Sequence, residues 1–355
     1  MKDIEETLRL ETLDCTLRDG GYINNWQFSD EEVLSCYEAV SLSGIDYFEI
    51  GFKSKKESGP KKGSWWHSTD QDINRIYDKY QNSKRCKIAA MIYVEYDSLD
   101  HFLPKANSKI DLVRILVGHN NPLQLKDVDR KQAQKCKELS QGLLDLGYEV
   151  AVNLACIDKI HKSKLDIFFE ELSDIPLKCI YIADTYGALD EISVLEHIDR
   201  VAEYGFKVGV HTHNNQNDAL SKTKAALNRS NVSIVDGCIG GLGRGAGNCN
   251  SELLVLYLSK TSPNKYNADP LIIHYDKYIR SSSEYLGNKL CYSYHPLYAY
   301  AAHFGIHPNF ADELIRASSI HIPEKLDLLR NIDHYCRSTN KYSYDKSLIT
   351  ELSPK

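Results

Sequence analysis

The chain is expected to be an α/β protein, a (β/α)8 TIM barrel with a helical C-terminal extension. Apolar, strand-like runs alternate with amphipathic helical ones eight times across about 250 residues, the length such a barrel needs. Many of those runs are apolar almost throughout, as befits strands buried on both faces of a parallel sheet. Past residue 260 the texture changes to Tyr, Ser and His, with helical patches and no further alternation. The barrel is therefore assigned to 1–260 and the extension, covering one mouth of the barrel, to 261–355. The alternative is a doubly wound open sheet. No GxGxxG follows the first strand, which argues against a dinucleotide-binding form of it.

Each element has its own signal. "TLDCTL" (12–17) reads as the first strand, running out to Leu17, and Gly20 and Gly21 then loosen the backbone for a turn. A helix begins at Ser29, where "SDEEV" sets a serine N-cap three residues before Glu32 in a capping box, and Gly44 is its stop. Strands two to eight are "DYFEIGF" (46–52), "CKIAAMIYV" (86–94), "IDLVRILV" (110–117), "YEVAVNLA" (148–155), "CIYIAD" (179–184), "FKVGVHTH" (206–213) and "VSIVDGCI" (232–239). Helical patterns such as "DVDRKQAQKCKELSQGLLDLG" and "EISVLEHIDRVAEYG" separate them, and "NSELLVLYLSK" supplies the eighth helix.

Composition narrows the function classes. Hydrophobic residues make up 42% of the 355, charged residues 26%, and the formal net charge is −6, which is ordinary for a globular protein. An acidic balance argues against nucleic acid or an anionic membrane surface as partner. No stretch of about 18 apolar residues is present to span a bilayer, and the expected location is cytoplasmic. The ten cysteines form no CxxC pair; several lie in apolar strand runs, so reduced core thiols are expected in preference to a disulfide framework.

In a barrel of this kind chemistry belongs at the C-terminal ends of the strands, and the unusual polar residues gather there. Arg18 and Asp19 follow strand one, and Glu49 and Lys53 end strand two. Arg114 and His119 lie at strand four, Asn153 at strand five, and Asp184 closes strand six. Asn248 follows the glycine-rich loop after strand eight. In "GVHTHNN", His211 and His213 are two residues apart on a strand, hence on one face about 6.6 Å apart. Two inward imidazoles with one carboxylate make a facial ligand set for a divalent metal. Strand one is the second neighbour of strand seven in a closed eight-stranded barrel, roughly 10 Å away. Asp19 can therefore complete the set. Such a metal would neutralise an enolate oxygen formed beside a 2-oxo acid's carbonyl, and Arg18 would add charged hydrogen bonds. The bland readings are a hydrogen-bonded histidine pair and a strand-end ion pair. "GCIGGLGRGAGN" (237–248) lacks a Walker lysine and reads as a tight loop that admits substrate and aims Asn248 at the metal.

Three motifs in this order, "TLRDGG", "VHTHNN" and "GGLGRGAGN", resemble the HMGL-like, pyruvate carboxyltransferase-like or DRE-TIM metallolyase superfamily, and within it most resemble 4-hydroxy-2-oxovalerate aldolases. The resemblance covers about residues 10–260. It implies that Asp19, His211 and His213 bind a divalent metal, Mn²⁺ or Mg²⁺, with Asn248 at or near it. Arg18 would stabilise a pyruvate enolate. The activity implied is a class II-type, metal-dependent aldolase acting on a 4-hydroxy-2-oxo acid; the substrate is a small-molecule 2-oxo acid. A homo-oligomer or an aldehyde dehydrogenase partner remains open. The aldolases place a base histidine where this chain has Tyr22, and His119 is the substitute candidate. A C-terminal tyrosine of the aldolase site corresponds to Tyr292 or Tyr294, with packing tyrosines as the alternative. Glu49, Asn153 and Asp184 are candidate substrate-binding or supporting residues. The competing functions are a Claisen-type acyl-CoA condensing enzyme and a barrel that has lost catalysis and serves as a binding subunit.

Overall fold

The computed structural model describes residues 10–55, 62–118, 130–280 and 296–352. Eight parallel strands close into a barrel in the order β1 to β8, with β1 hydrogen-bonded to both β2 and β8. They are β1 (Glu11–Asp14), β2 (Tyr47–Phe52), β3 (Lys87–Tyr93), β4 (Ile110–Val117), β5 (Glu149–Leu154), β6 (Cys179–Asp184), β7 (Val208–Thr212) and β8 (Val232–Gly237). The fold class expected from the alternation is the one observed, and β4 and β6 have the expected bounds. Helices α1 (Thr16–Asn24), α2 (Asp30–Ser43), α3 (Ser64–His67), α4 (Asp70–Lys79), α5 (Arg130–Asp145), α6 (Lys162–Leu172), α7 (Glu191–Glu203), α8 (Ala219–Ala226) and α9 (Ser251–Leu258) connect and surround the strands. The Ser29 capping box on α2 forms as expected, and Gly44 ends that helix in the left-handed region. Each of the nine cysteines among the described residues is free and buried. None of the described helices is long and apolar enough to cross a membrane.

One expectation is corrected. β1 stops at Asp14, and "TLRDGGYIN" is helix α1. Asp14 Oδ1 accepts the Thr16 N–H at 3.0 Å and so turns the chain out of the strand. The two glycines are helical, and they are needed for packing, not for a turn. A Cβ on Gly20 would lie 2.6 Å from Leu242, and one on Gly21 would lie 2.3 Å from the Trp26 indole. Tertiary packing has overridden glycine's poor helix propensity.

The interior follows the two-residue period of the strands. Leu13, Tyr47, Ala89, Leu112, Ala151, Tyr181 and Ile234 form an apolar plug inside the barrel. The plug uses large against small. A Cβ on Gly209 would meet the Tyr181 ring at 2.6 Å, so β7 must carry glycine beside that tyrosine. Two residues further along β2, β4, β5 and β8 the inward positions are Glu49, Arg114, Asn153 and Asp236, all buried. The charged layer thus rests on the apolar plug. Outward residues of the strands meet the helices in a second, larger core.

Beyond α9, α10 (Asp269–His274) joins the barrel's core through Leu271, as Tyr266 and Ala268 just before it do. Helices Pro296–Phe304, Pro308–Arg316 and Ile322–Thr339 pack into a separate apolar cluster that includes Ala246 of the loop after β8. The C-terminal segment therefore contacts the same end of the barrel as the strand C-termini.

Candidate active site

Asp19 lies in the first turn of α1, and His211 and His213 leave the end of β7 with ring centroids 5.0 Å apart. Thr212 between them points outward and hydrogen-bonds Thr223 of α8 at 2.9 Å. Asp19 Oδ2 stands 3.8 Å from His211 Nε2 and 3.4 Å from His213 Nε2. One ligand atom from each of the three lies within 4.8 Å of the others. The second-neighbour relation of β1 and β7 across β8 is what brings them together.

These atoms fit a cation. Asp19 Oδ2, His211 Nε2, His213 Nε2 and Asn248 Oδ1 are all buried without a hydrogen-bond partner. Buried polar atoms are seldom left so, and four at one place form a donor set that a divalent cation would satisfy. The ring orientations agree: His213 Nδ1 lies 2.8 Å from the Asp184 carbonyl and His211 Nδ1 lies 3.0 Å from Asp236 Oδ2. With Nδ1–H donating to those oxygens, a neutral ring would turn its Nε2 lone pair to the cluster, the arrangement that orients metal-ligating histidines. His211, whose pKa is raised, would give up its Nε2 proton to a bound cation. Asn248 is held by its Nδ2 donating to the Leu242 carbonyl at 3.0 Å, which frees its oxygen. Gly243 permits this approach, because a Cβ there would lie 2.1 Å from Asn248 Nδ2 and 3.1 Å from Asp19 Oδ2.

A buried chain of ion pairs joins these residues beneath. Arg18 Nη1 donates to Asp19 Oδ1 and Arg18 Nε to Glu49 Oε2, both at 2.8 Å. Arg114 donates to Glu49 Oε2 at 3.0 Å and to Asp236 Oδ2 at 2.7 Å, and its guanidinium lies 3.9 Å from the Tyr181 ring centroid. Three carboxylates face two guanidiniums, so the set carries one net negative charge when the imidazoles are neutral. A divalent cation would turn it positive, and an anionic 2-oxo acid would then neutralise it.

Protonation follows this layout. Burial pushes the Asp19 carboxyl up, but the Arg18 guanidinium and His213 outweigh it and hold the group well below the usual carboxylate range. Burial lowers His213 below its ordinary value by more than Asp19 raises it, which favours the neutral imidazole. For His211 burial is outweighed by Cys15, 3.8 Å from Nδ1, and by Asp236, which together raise it to about 9.

The other expected residues fall as follows. Glu49 is fully buried under Arg18 and orients it. Asn153 Oδ1 is buried with no hydrogen-bond partner. Asp184 accepts from Lys222 Nζ at 2.6 Å and from the Ala188 and Leu189 amides, so its side chain braces the loop while its carbonyl orients His213. Tyr22 lies one turn along α1 from Asp19, under the Arg244 guanidinium at 4.2 Å. Burial raises its phenol above the ordinary value of 10, so it keeps its proton at neutral pH. His119, Tyr292 and Tyr294 lie outside the described residues.

Sequence reasoning missed Asp236, Lys222 and Arg244. An acid two residues after Ile234, in the inward register of an otherwise apolar strand, was the readable signal for Asp236. Fully buried Lys222, paired with Asp184 and Asp218, has no comparable signature on α8.

Comparison with known proteins gives the family. A family model described as HMGL-like matches residues 9–272. The oxaloacetate decarboxylase of Mycobacterium tuberculosis is 25% identical over 250 residues, covering 70% of this chain and 69% of that one. The 4-hydroxy-2-oxovalerate aldolase of Chloroflexus aurantiacus is 25% identical over 253 residues, covering 71% and 69%. The carboxyl transferase domain of Rhizobium etli pyruvate carboxylase shares the fold, with a TM-score of 0.66 and 12% identity over 98% of this chain and 60% of that one. With three quarters of its length matched, the chain belongs to the HMGL-like family.

Proposed function

We propose that the chain is a divalent-metal-dependent aldolase that cleaves or forms a 4-hydroxy-2-oxo acid through a pyruvate enolate. The observation that carries this reading is the group of four unpartnered buried atoms on Asp19, His211, His213 and Asn248, set beside Arg18. A divalent cation held by Asp19, His211 and His213, with Asn248 at hand, would supply Lewis-acid polarisation of the 2-oxo group. Arg18 is preorganised for the developing negative charge. Glu49 and Asp19 fix Nε and Nη1, while Nη2 is buried without a partner and remains for an anionic oxygen. Asn153 offers its amide from the same inward layer. The names of the aldolase and decarboxylase relatives support a carbon–carbon lyase.

Exchange of the methyl protons of pyruvate for deuterium tests enolisation without knowledge of the aldehyde. Arg18→Ala is expected to keep cation binding and slow that exchange about 10²- to 10³-fold, the cost of one preorganised charged donor. Exchange at the unaltered rate would remove Arg18 from the mechanism.

A second reading shares the enolate. The protonated Tyr22 phenol suits a donor to an enolate carbon better than a base for the C4 hydroxyl. Loss of CO₂ from a 2-oxo dicarboxylate needs no such base. Release of CO₂ against release of an aldehyde separates the two.

A further inference from the structure

A cavity of about 470 Å³ lies between the loops at the strand C-termini and the C-terminal segment. Tyr22 and Arg244 line it from the barrel; His307, Asn309, Asp312 and Tyr344 line it from the segment. Those last four lie beyond the family match, which ends at 272. The cavity adjoins the cation ligands. Tyr22 is one helical turn from Asp19, and Arg244 is four residues before Asn248 and stacks on Tyr22. The charge of Arg244 acts on His213 on one side and on His307 and Asp312 on the other.

The lining has the chemistry of an anion site. Arg244 forms no ion pair among the described residues, and its buried Nε has no hydrogen-bond partner. The nearby acids have other partners. Asp312 accepts the Tyr298 hydroxyl. Although burial raises its carboxyl to about 6, it is mostly an anion at neutral pH, with Arg316 acting on it more strongly than Arg244. Glu313 is paired with Lys346 at 3.0 Å. His307 is neutral, since burial beside Arg244 lowers it to about 3, and its Nδ1 accepts the Asn309 amide at 3.2 Å. A wholly aliphatic group here would leave the guanidinium and the wall's polar atoms without partners, which is costly. The volume suits a small polar molecule, not a macromolecule.

We propose that this cavity binds the aldehyde half of the substrate, and that this half carries an anionic group, carboxylate or phosphate, held by Arg244. The inference rests on the aldolase reading and adds the substrate class. The test is aldol condensation with pyruvate using butanal, 4-oxobutanoate and glyceraldehyde 3-phosphate as acceptors. One of the charged aldehydes is expected to show kcat/KM about 10- to 100-fold above butanal, the worth of one charge-assisted contact. The carboxylate and phosphate arms tell which anion is used. Arg244→Gln is expected to erase the preference mainly through KM, and Arg244→Lys to retain part of it. Equal use of neutral and charged acceptors, or a preference that survives Arg244→Gln, overturns the inference. Absence of pyruvate proton exchange in the unaltered protein would instead remove the aldolase reading, and this inference with it.

Discussion

Asp19→Ala protein is expected to bind no Mn²⁺ in a calorimetric titration and to leave the pyruvate methyl protons unexchanged. The carboxylate is the only anionic member of the three-residue set, and the attraction of a divalent ion to a site with one net negative charge depends on it. Its removal also strips Arg18 Nη1 of a 2.8 Å partner and so loosens the guanidinium. Loss of Lewis-acid polarisation together with misplacement of Arg18 is worth at least several kcal/mol of barrier, or more than about 10³-fold in rate. His211→Ala removes one of the proposed imidazole ligands and leaves Asp236 with one partner fewer; the same double loss is expected. Full exchange in either variant would refute the ligand assignment.

Arg114→Met is expected to cost about 3 kcal/mol or more of stability, the usual result of removing one partner from a buried ionic network. Arg114 is wholly buried and bridges Glu49 and Asp236, so its loss confines two carboxylates with less compensation. Methionine fills much of the volume and still packs on Tyr181, which separates the charge from the cavity effect. A lowered urea midpoint at unchanged slope would show it. A midpoint equal to that of the unaltered protein would mean that the network's desolvation offsets its attraction.

Much of this arrangement was legible in the sequence because it obeys short periods. Alternation along "GVHTHNN" put His211 and His213 on one face, and strand counting around a closed barrel brought Asp19 to them. Both are local or topological rules. The end of β1 was not legible, because α1 forms over two glycines only when Leu242 and Trp26 fill the space beside them. Nor was the path of the charge network. Glu49 meets Arg114 over a separation of 65 residues and Arg114 meets Asp236 over 122, pairings that no spacing pattern encodes. The wall built by 307–344 was hidden for the same reason: its partner, Arg244, looked like one more residue of a glycine-rich loop.

The most direct measurement is diffraction from crystals soaked in Mn²⁺, recorded at a wavelength where manganese scatters anomalously. One peak is predicted among Asp19 Oδ2, His211 Nε2 and His213 Nε2, at metal–ligand distances of about 2.1 Å. A peak elsewhere, or none under saturating Mn²⁺, would contradict the reading of these residues as a metal centre.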